Sequence, residues 1–315
     1  MLNYAARRIG LSLLIVVLAV SLLFGMIHMI PGDPASVLLG PRATPELRAE
    51  LNQRMGLDQP VMVQLGRFLL NALRGDLGED VFSNRPVTTI VLEQLPYTVI
   101  LVLLAIGCAA LIGIPLGCYS AIRRNSWLDR VTAVMSVSFI AVPSFIIALY
   151  ALLILSVKLR WFPAMGAGET GNLPDQLRHL VLPTFALGLG WVGYISRLVR
   201  SSMLEVIEEQ HVRTARAFGL PEWVVIRDYA LRIAILPTVT VIGLGIGMTL
   251  SSALFTEIVF SRPGIGKLLH ESVMTRNYPV VMGTVLITTI FFVVATLLSD
   301  LVNAWLDPRL RSESR

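Results

Sequence analysis

Charge is what this sequence has least of. Only 15% of its 315 residues are Asp, Glu, Lys or Arg, whereas a soluble globular domain carries about a quarter. That excludes a soluble domain of this size. Cysteine is nearly absent as well, with only Cys108 and Cys118. Ten residues apart in one apolar run, they would stand about 15 Å apart on a helix, beyond the reach of a disulfide. The histidines number four, His28, His179, His211 and His270, and no two share a metal-ligand spacing. No G-x-S-x-G elbow supplies a nucleophile. A catalytic constellation is therefore missing, and an intramembrane enzyme is disfavoured. A channel would need a repeated pore motif or a charged ring, and none is present.

Nucleotide sites are missing too. "SRPGIGKLL", residues 261–269, comes nearest to a phosphate loop. Ser261 stands where the first glycine belongs, and Leu268 where a Ser or Thr would meet magnesium. "GLGWVG", Gly188 to Gly193, fits G-x-G-x-x-G. It lies in an apolar segment bounded by Pro183, with no strand before it. These glycines, like the Gly113/Gly117 and Gly243/Gly247 pairs, read as sites of close helix approach. No cofactor and no metal are expected.

Hydrophobic runs fill the space that charge leaves. The chain is 55% hydrophobic, and a helix needs about 20 apolar residues to cross a bilayer. Six spans are expected: Ile9–Ile30, Thr98–Ile122, Val131–Val157, Leu180–Ser196, Ile233–Phe260 and Val280–Ser299. The first exceeds the apolar length of a signal peptide and lacks a small-x-small cleavage site, so it is expected to be retained. Lys and Arg in short connections set orientation. With the N-terminus inside, fourteen fall on the inner side and six on the outer. Both termini are thus expected in the cytoplasm. The net charge of +5 is explained by these loops rather than by nucleic acid. His28 and Glu257 lie near outer span ends, where the simplest expectation is that both reach interfacial water.

The segment after the first span is expected to fold outside the membrane. Thr44, Pro45 and Gly56 would cap, start and stop one helix. Pro60 and Gly75 would bracket a second, with an apolar stripe of Val61, Leu65, Phe68, Leu69 and Ala72.

One connection stands apart. From Met203 through Val206, Ile207, Gln210, Thr214 and Ala217 the spacing is three or four, which predicts one helix. Gly219 would end it with a left-handed residue, and Pro221 would start the next helix. Small residues at its centre would let a partner's backbone come near, with Arg213 and Arg216 flanking the contact.

"VRTARAFGL", residues 212–220, followed by "YALRIAILPTVT", resembles the EAA loop of permease subunits of bacterial binding-protein-dependent ABC importers. "HMIPGDPASVLLG" (28–40), "RGDLG" (74–78), "ETGN" (169–172), "LVLPTFALGL" (180–189), "FSRPGIGKLL" (260–269), "RNYPVV" (276–281) and "DLVNAWLDPRLR" (300–311) resemble the oligopeptide, dipeptide and nickel branch. The resemblance implies an all-α polytopic membrane protein with the type I importer fold and about six spans. It implies four regions: an N-terminal helix (1–30), a folded extracytoplasmic region (31–95), a transmembrane core (96–304) with a coupling loop at 201–232, and a cytoplasmic tail (305–315). It implies partners: a second homologous permease forming a heterodimer, two ATP-binding subunits that carry the ATPase activity, an extracytoplasmic solute-binding protein, and the bilayer of the inner membrane. The coupling helix would span roughly residues 208–220 and use Arg213, Thr214, Ala215, Arg216, Ala217, Phe218, Gly219 and Leu220. This chain departs from the usual pattern at Arg213, where Glu is frequent, at Phe218, where Lys is common, and at Gln210-His211, where Asp-Tyr is common. Di- or oligopeptides are the leading expected cargo; nickel or metal chelates, glutathione and opine-like compounds are the alternatives.

Overall fold

A computed structural model describes residues 2–29, 44–46 and 59–306. Apolar residues recurring at helical spacing, without alternating runs, give helices throughout. The one β feature among the described residues is an isolated bridge between Glu79 and Pro86. Along the chain come α1 (Leu2–Met29), α2 (Val61–Leu73), α3 (Val87–Ile122), α4 (Trp127–Ala141) and α5 (Ser144–Ala151, continuing as a π-helical turn over Leu152–Lys158). Next are α6 (Leu173–Ile207), α7 (Gln210–Ala217) and α8 (Glu222–Val224, π-helical Val225–Leu231, then Arg232–Ala234). The last three are α9 (Leu236–Val259), α10 (Ile265–Met274) and α11 (Tyr278–Leu306). Among the described residues, five helices are long and apolar enough to cross a membrane, and six if the bent pair α4–α5 counts as one span.

Four expected boundaries shift. The second span begins at Val87 rather than Thr98, because Val87 and Val91 are buried and hold the extra turns against the protein; Pro96 lies inside the helix. The third span is broken: α4 and α5 meet at 99°. Pro143 lacks an N–H and forces Val142 out of helical geometry, to φ −92° and ψ 121°. The fourth span grows to 35 residues and keeps Pro183 inside it. Asn172 caps its start by accepting from the Asp175 N–H at 3.3 Å, and buried Ile195, Val199, Met203 and Val206 carry it well beyond Ser196. The fifth starts at Leu236, since the turns before it are the separate short pieces of α8.

The chain divides into two compact units. One comprises residues 1–98 and 263–293. Its core gathers Val20, Phe24 and Ile27 of α1 with Val87, Val91, Val280, Val281 and Leu286. Leu65, Phe68, Leu69 and Ala72 of α2 pack on this core, so the stripe expected there faces inward, while Val61 is exposed. Gly75 ends that segment at φ +82°. Of the expected Thr44 helix, Pro45 and Glu46 are helical and the remainder lies outside the described residues. Asp80 ties the unit together. Its carboxylate accepts from the Ser83 N–H at 2.9 Å, from the Ser83 hydroxyl and from the Asn277 side-chain amide. Elsewhere in the unit the Thr98 hydroxyl accepts from the Ile265 N–H at 2.8 Å, at the start of α10.

The other unit comprises residues 99–262 and 294–315. Glycines set its helix spacing. A Cβ on Gly188 would stand 2.9 Å from the Ala105 carbonyl oxygen, and one on Gly193 2.7 Å from that of Ser136. On Gly117 it would collide with the Ser196 carbonyl. These glycines are where helix backbones touch, and G-x-G-x-x-G here is a packing seam. Asp129, at the start of α4, is buried. It takes a two-pronged bond from Arg200 of α6, Nε to Oδ1 at 2.6 Å and Nη2 to Oδ2 at 2.9 Å, and accepts from the Ser120 hydroxyl. Glu257 is fully buried and engaged within the protein rather than at interfacial water; α9 packs it inward beside buried Thr256. The His28 side chain lies outside the described residues. Cys108 and Cys118 are both free thiols.

Candidate functional site

The loop from α6 to α9 is built by interruption. The 203–217 periodicity predicts one helix, but α6 stops at Ile207 and α7 starts afresh at Gln210, with Glu209 extended at φ −71° and ψ 156°. The break turns α7 so that Val212 and Ala215 join a core with Val206, Val225, Ile226 and Ala230. Ala215 is small because it is buried there; it is not part of an outward face.

The end of α7 closes as the glycine predicts. Gly219 sits at φ +73°. Its N–H donates to the Arg216 carbonyl at 2.9 Å, and the Leu220 N–H reaches back to that of Ala215 at 3.4 Å. This pair of bonds is a Schellman closure, and Leu220 and Ala215 share the apolar contact that accompanies it. A Cβ on Gly219 would meet nothing within 4 Å, so conformation alone asks for glycine. Pro221 then precedes α8, with Pro221 C=O accepting from Val224 and Val225.

The loop's charges are mostly used internally. Arg216 binds Glu222 with both prongs, at 2.7 and 3.2 Å. The Arg216 hydrogen bonds hold the Glu222 carboxyl below its ordinary range. Arg227 pairs with Asp228 at 2.7 Å and stacks over Trp223, 4.8 Å from the ring centroid. The Arg227 bond likewise lowers Asp228. His211 lies 3.1 Å from a Glu209 oxygen, and Thr214 donates to the Gln210 carbonyl at 2.9 Å. Of the two arginines expected to flank a partner, Arg216 is therefore taken. The Arg213 guanidinium has no partner among the described residues.

What the loop presents outward is Arg213, Thr214, Ala217, Phe218 and Gly219. Phe218 is 81% exposed and Trp223 62%. Two large aromatics thus stand exposed at the surface of an otherwise polar turn. Trp223 is the one that spacing did not reveal; the tryptophan two residues after Pro221 was its only signal. Among the described residues, no group of His, Cys, Asp and Glu gathers as a metal site.

Comparisons with known proteins agree with this architecture. The pattern described as binding-protein-dependent transport system inner membrane component matches residues 113–312, and that of the N-terminal part of the same component matches residues 1–102. The dipeptide transport system permease protein DppB of Alkalihalophilus pseudofirmus is 35% identical, over 99% of this chain and 100% of its own. The glutathione transport system permease protein GsiC of Salmonella paratyphi A is 37% identical over 99% of both. A putative peptide transport system permease protein of Brucella abortus is 37% identical over 97% of this chain and 98% of its own. Among solved structures, a chain of the inward-facing MetNI methionine ABC transporter superposes with a TM-score of 0.59 at 16% identity, covering 69% of this chain and 96% of its own. That likeness gives the fold, the type I importer permease. The chain is a multi-pass inner-membrane protein of the binding-protein-dependent transport system inner membrane component family.

Proposed function

We propose that this chain is the permease through which a binding-protein-dependent ABC importer passes di- or oligopeptides, and that α7 is its coupling helix. As a family member it is a transport component and not itself an enzyme. Energy would come from two ATP-binding subunits. A second homologous permease would complete a heterodimer, and an extracytoplasmic protein would deliver the solute. Both termini and the α6–α9 loop would lie in the cytoplasm, and residues 31–95 outside. The solute path would run between the two permeases, lined by the third to fifth spans of the chain.

The supporting observation is the build of α7. Val212 and Ala215 root it in the same core as α6 and α8, while Arg213, Ala217 and Phe218 project from it. A partner that moves this helix would move α6 and α8 with it. A ligand shifts a two-state equilibrium only by its differential affinity for the states, and ATP acting on docked partners supplies that difference. Peptide cargo is supported by the names of the relatives, with glutathione as the second reading on the same ground.

The test is uptake of a labelled dipeptide by the reconstituted transporter. The expected result is uptake that needs both ATP and the binding protein, with no ATP hydrolysis by the purified chain alone. Hydrolysis by this polypeptide, or uptake indifferent to ATP, would overturn the reading.

A further inference from the structure

We propose that a cavity at the bend between α4 and α5 is a subsite on the solute path, holding one residue of a short peptide by its amide group and its apolar side chain. This rests on the peptide reading above and assigns its chemistry to particular residues.

The cavity has a volume of about 260 Å³, with walls from Val142, Pro143, Gly190, Trp191, Tyr194 and Thr249. Pockets that enclose a whole ligand run from about 300 to 1,000 Å³, so this one fits part of a solute. It lies midway along the helices that line it. Trp191 is about 25 Å from either end of α6, and the bend falls at the middle of the α4–α5 pair. Thr249 is near the middle of α9. Broken helices at membrane depth are tolerated where the freed backbone is buried in protein or lines a cavity, and transporters place solute groups at such breaks.

The bend offers both halves of an amide's hydrogen bonding. The last carbonyls of α4 have no following turn to bond, because Val142 is extended and Pro143 carries no N–H. Gly190 keeps the Phe139 carbonyl accessible; a Cβ there would stand 3.4 Å from that oxygen. Across the bend, α5 begins at Pro143 with no side chain capping its first N–H groups. A peptide unit carries one donor and one acceptor and can use both edges.

Thr249 places an unpaired, buried hydroxyl in the cavity wall. It is 1% exposed and lines the cavity. Some threonines in the long helices donate to the carbonyl four residues back, as Thr288 does to Thr284 at 2.7 Å. The hydroxyls of Thr184, Thr238, Thr249, Thr256 and Thr284 are instead buried without a partner among the described residues, and of these only Thr249 lines the cavity. The Thr249 hydroxyl makes no such bond and has no partner among the described residues. Buried hydroxyls are normally satisfied. Ser252, one turn on, reaches the Met248 carbonyl at only 3.5 Å, a bond easily exchanged for a better one. The apolar wall is held rigid: Trp191 meets Tyr194 edge-on at 5.8 Å and lies over Gly245, whose Cβ would stand 2.9 Å from the indole. No Asp, Glu, Lys or Arg lines the cavity. A bare metal ion would find no carboxylate, imidazole or thiolate there, whereas a neutral amide with an apolar side chain finds matching groups.

The experiment uses the complete reconstituted transporter with radiolabelled alanyl-phenylalanine as probe. Thr249→Val keeps the shape and removes the hydroxyl. The dipeptide imported per ATP hydrolysed should fall roughly threefold to tenfold, with assembly and melting temperature maintained or raised. Wild-type import per ATP, with the melting temperature maintained or raised, would overturn the subsite, since a merely structural hydroxyl leaves transport alone. In a Cys108→Ala/Cys118→Ala background, Ser252→Cys should react with a cationic methanethiosulfonate, and excess dipeptide should slow the reaction during turnover. No reaction would mean the cavity faces lipid and would overturn the proposal. If the wild-type transporter imports no dipeptide at all, the peptide reading fails, and the chemistry assigned to the cavity fails with it.

Discussion

Arg216 and Glu222 clasp each other across the turn at Gly219, with Nη2 to Oε1 at 2.7 Å and Nε to Oε2 at 3.2 Å. The pair joins the last turn of α7 to the first of α8 and fixes the angle between them. Both side chains are substantially exposed, so solvent screens the attraction, and the pair is worth about 0.2–1 kcal/mol. Its value lies in geometry. Because Glu222 titrates below its usual 4.5 in the folded protein, the pair's contribution is complete above that value and is lost as pH falls through the folded value. A double-mutant cycle of Arg216→Ala and Glu222→Ala should show a coupling of that size at pH 7 and none in strong acid. An unchanged coupling across that range would contradict the assignment.

Asp80, buried among its donors, should matter to the stability of its unit. Burial raises its pKa, but hydrogen bonds from Ser83, Asn277 and the Phe82 N–H together outweigh that and lower it below 3.8. The carboxylate also spans the sequence, since its Asn277 partner lies 197 positions away. Asp80→Ala should cost about 1–3 kcal/mol at neutral pH by leaving donors unpaired. The wild-type advantage should persist above pH 3.8 and vanish as pH falls through the folded value, where the wild-type carboxyl protonates. Thermal melts of both proteins from pH 3 to 7 check this.

Gly219 tests conformation separately from space. Its φ of +73° and open surroundings mean that Gly219→Val should fail by backbone strain, about 1–2 kcal/mol. Gly219→Asn, which tolerates the left-handed region, should be milder. Equal effects would show that side-chain bulk, not backbone, is what matters. Melting temperature and retention of the ATP-binding partners are the measurements.

Much of this was readable in the sequence because long apolar runs and glycine–proline punctuation are local signals. The apolar spans, the stripe of α2 and the closure at Gly219 belong to that class; that the stripe packs inward was not legible. Pro143 was a local signal for the bend, overridden by the continuous hydrophobicity around it. The break at residues 208–209 was hidden because Ile207 and Gln210 keep helical spacing across it. Pairs joined only by tertiary structure left no trace in spacing: Arg200 meets Asp129 across 71 positions. Ala215 matched the motif, yet its burial against Val225 and Ile226 depends on where α8 returns. The emptiness of charge around Trp191 and Thr249 was visible; their convergence was not.

Ala217 decides the central claim. It is exposed at the end of α7, next to Phe218, and its side chain faces no core that a larger residue would disrupt. Ala217→Glu should therefore leave the folded chain in the membrane at normal abundance. Docked against an ATP-binding partner, the new carboxylate would be desolvated, at a cost of several kcal/mol if unpaired. The measurement is co-purification of the ATP-binding subunits with the Ala217→Glu chain, read together with ATP-driven dipeptide uptake. The account predicts loss of both while the chain still engages the loaded binding protein. Full retention of the ATP-binding subunits with wild-type uptake would contradict it and leave α7 as a solvated connection.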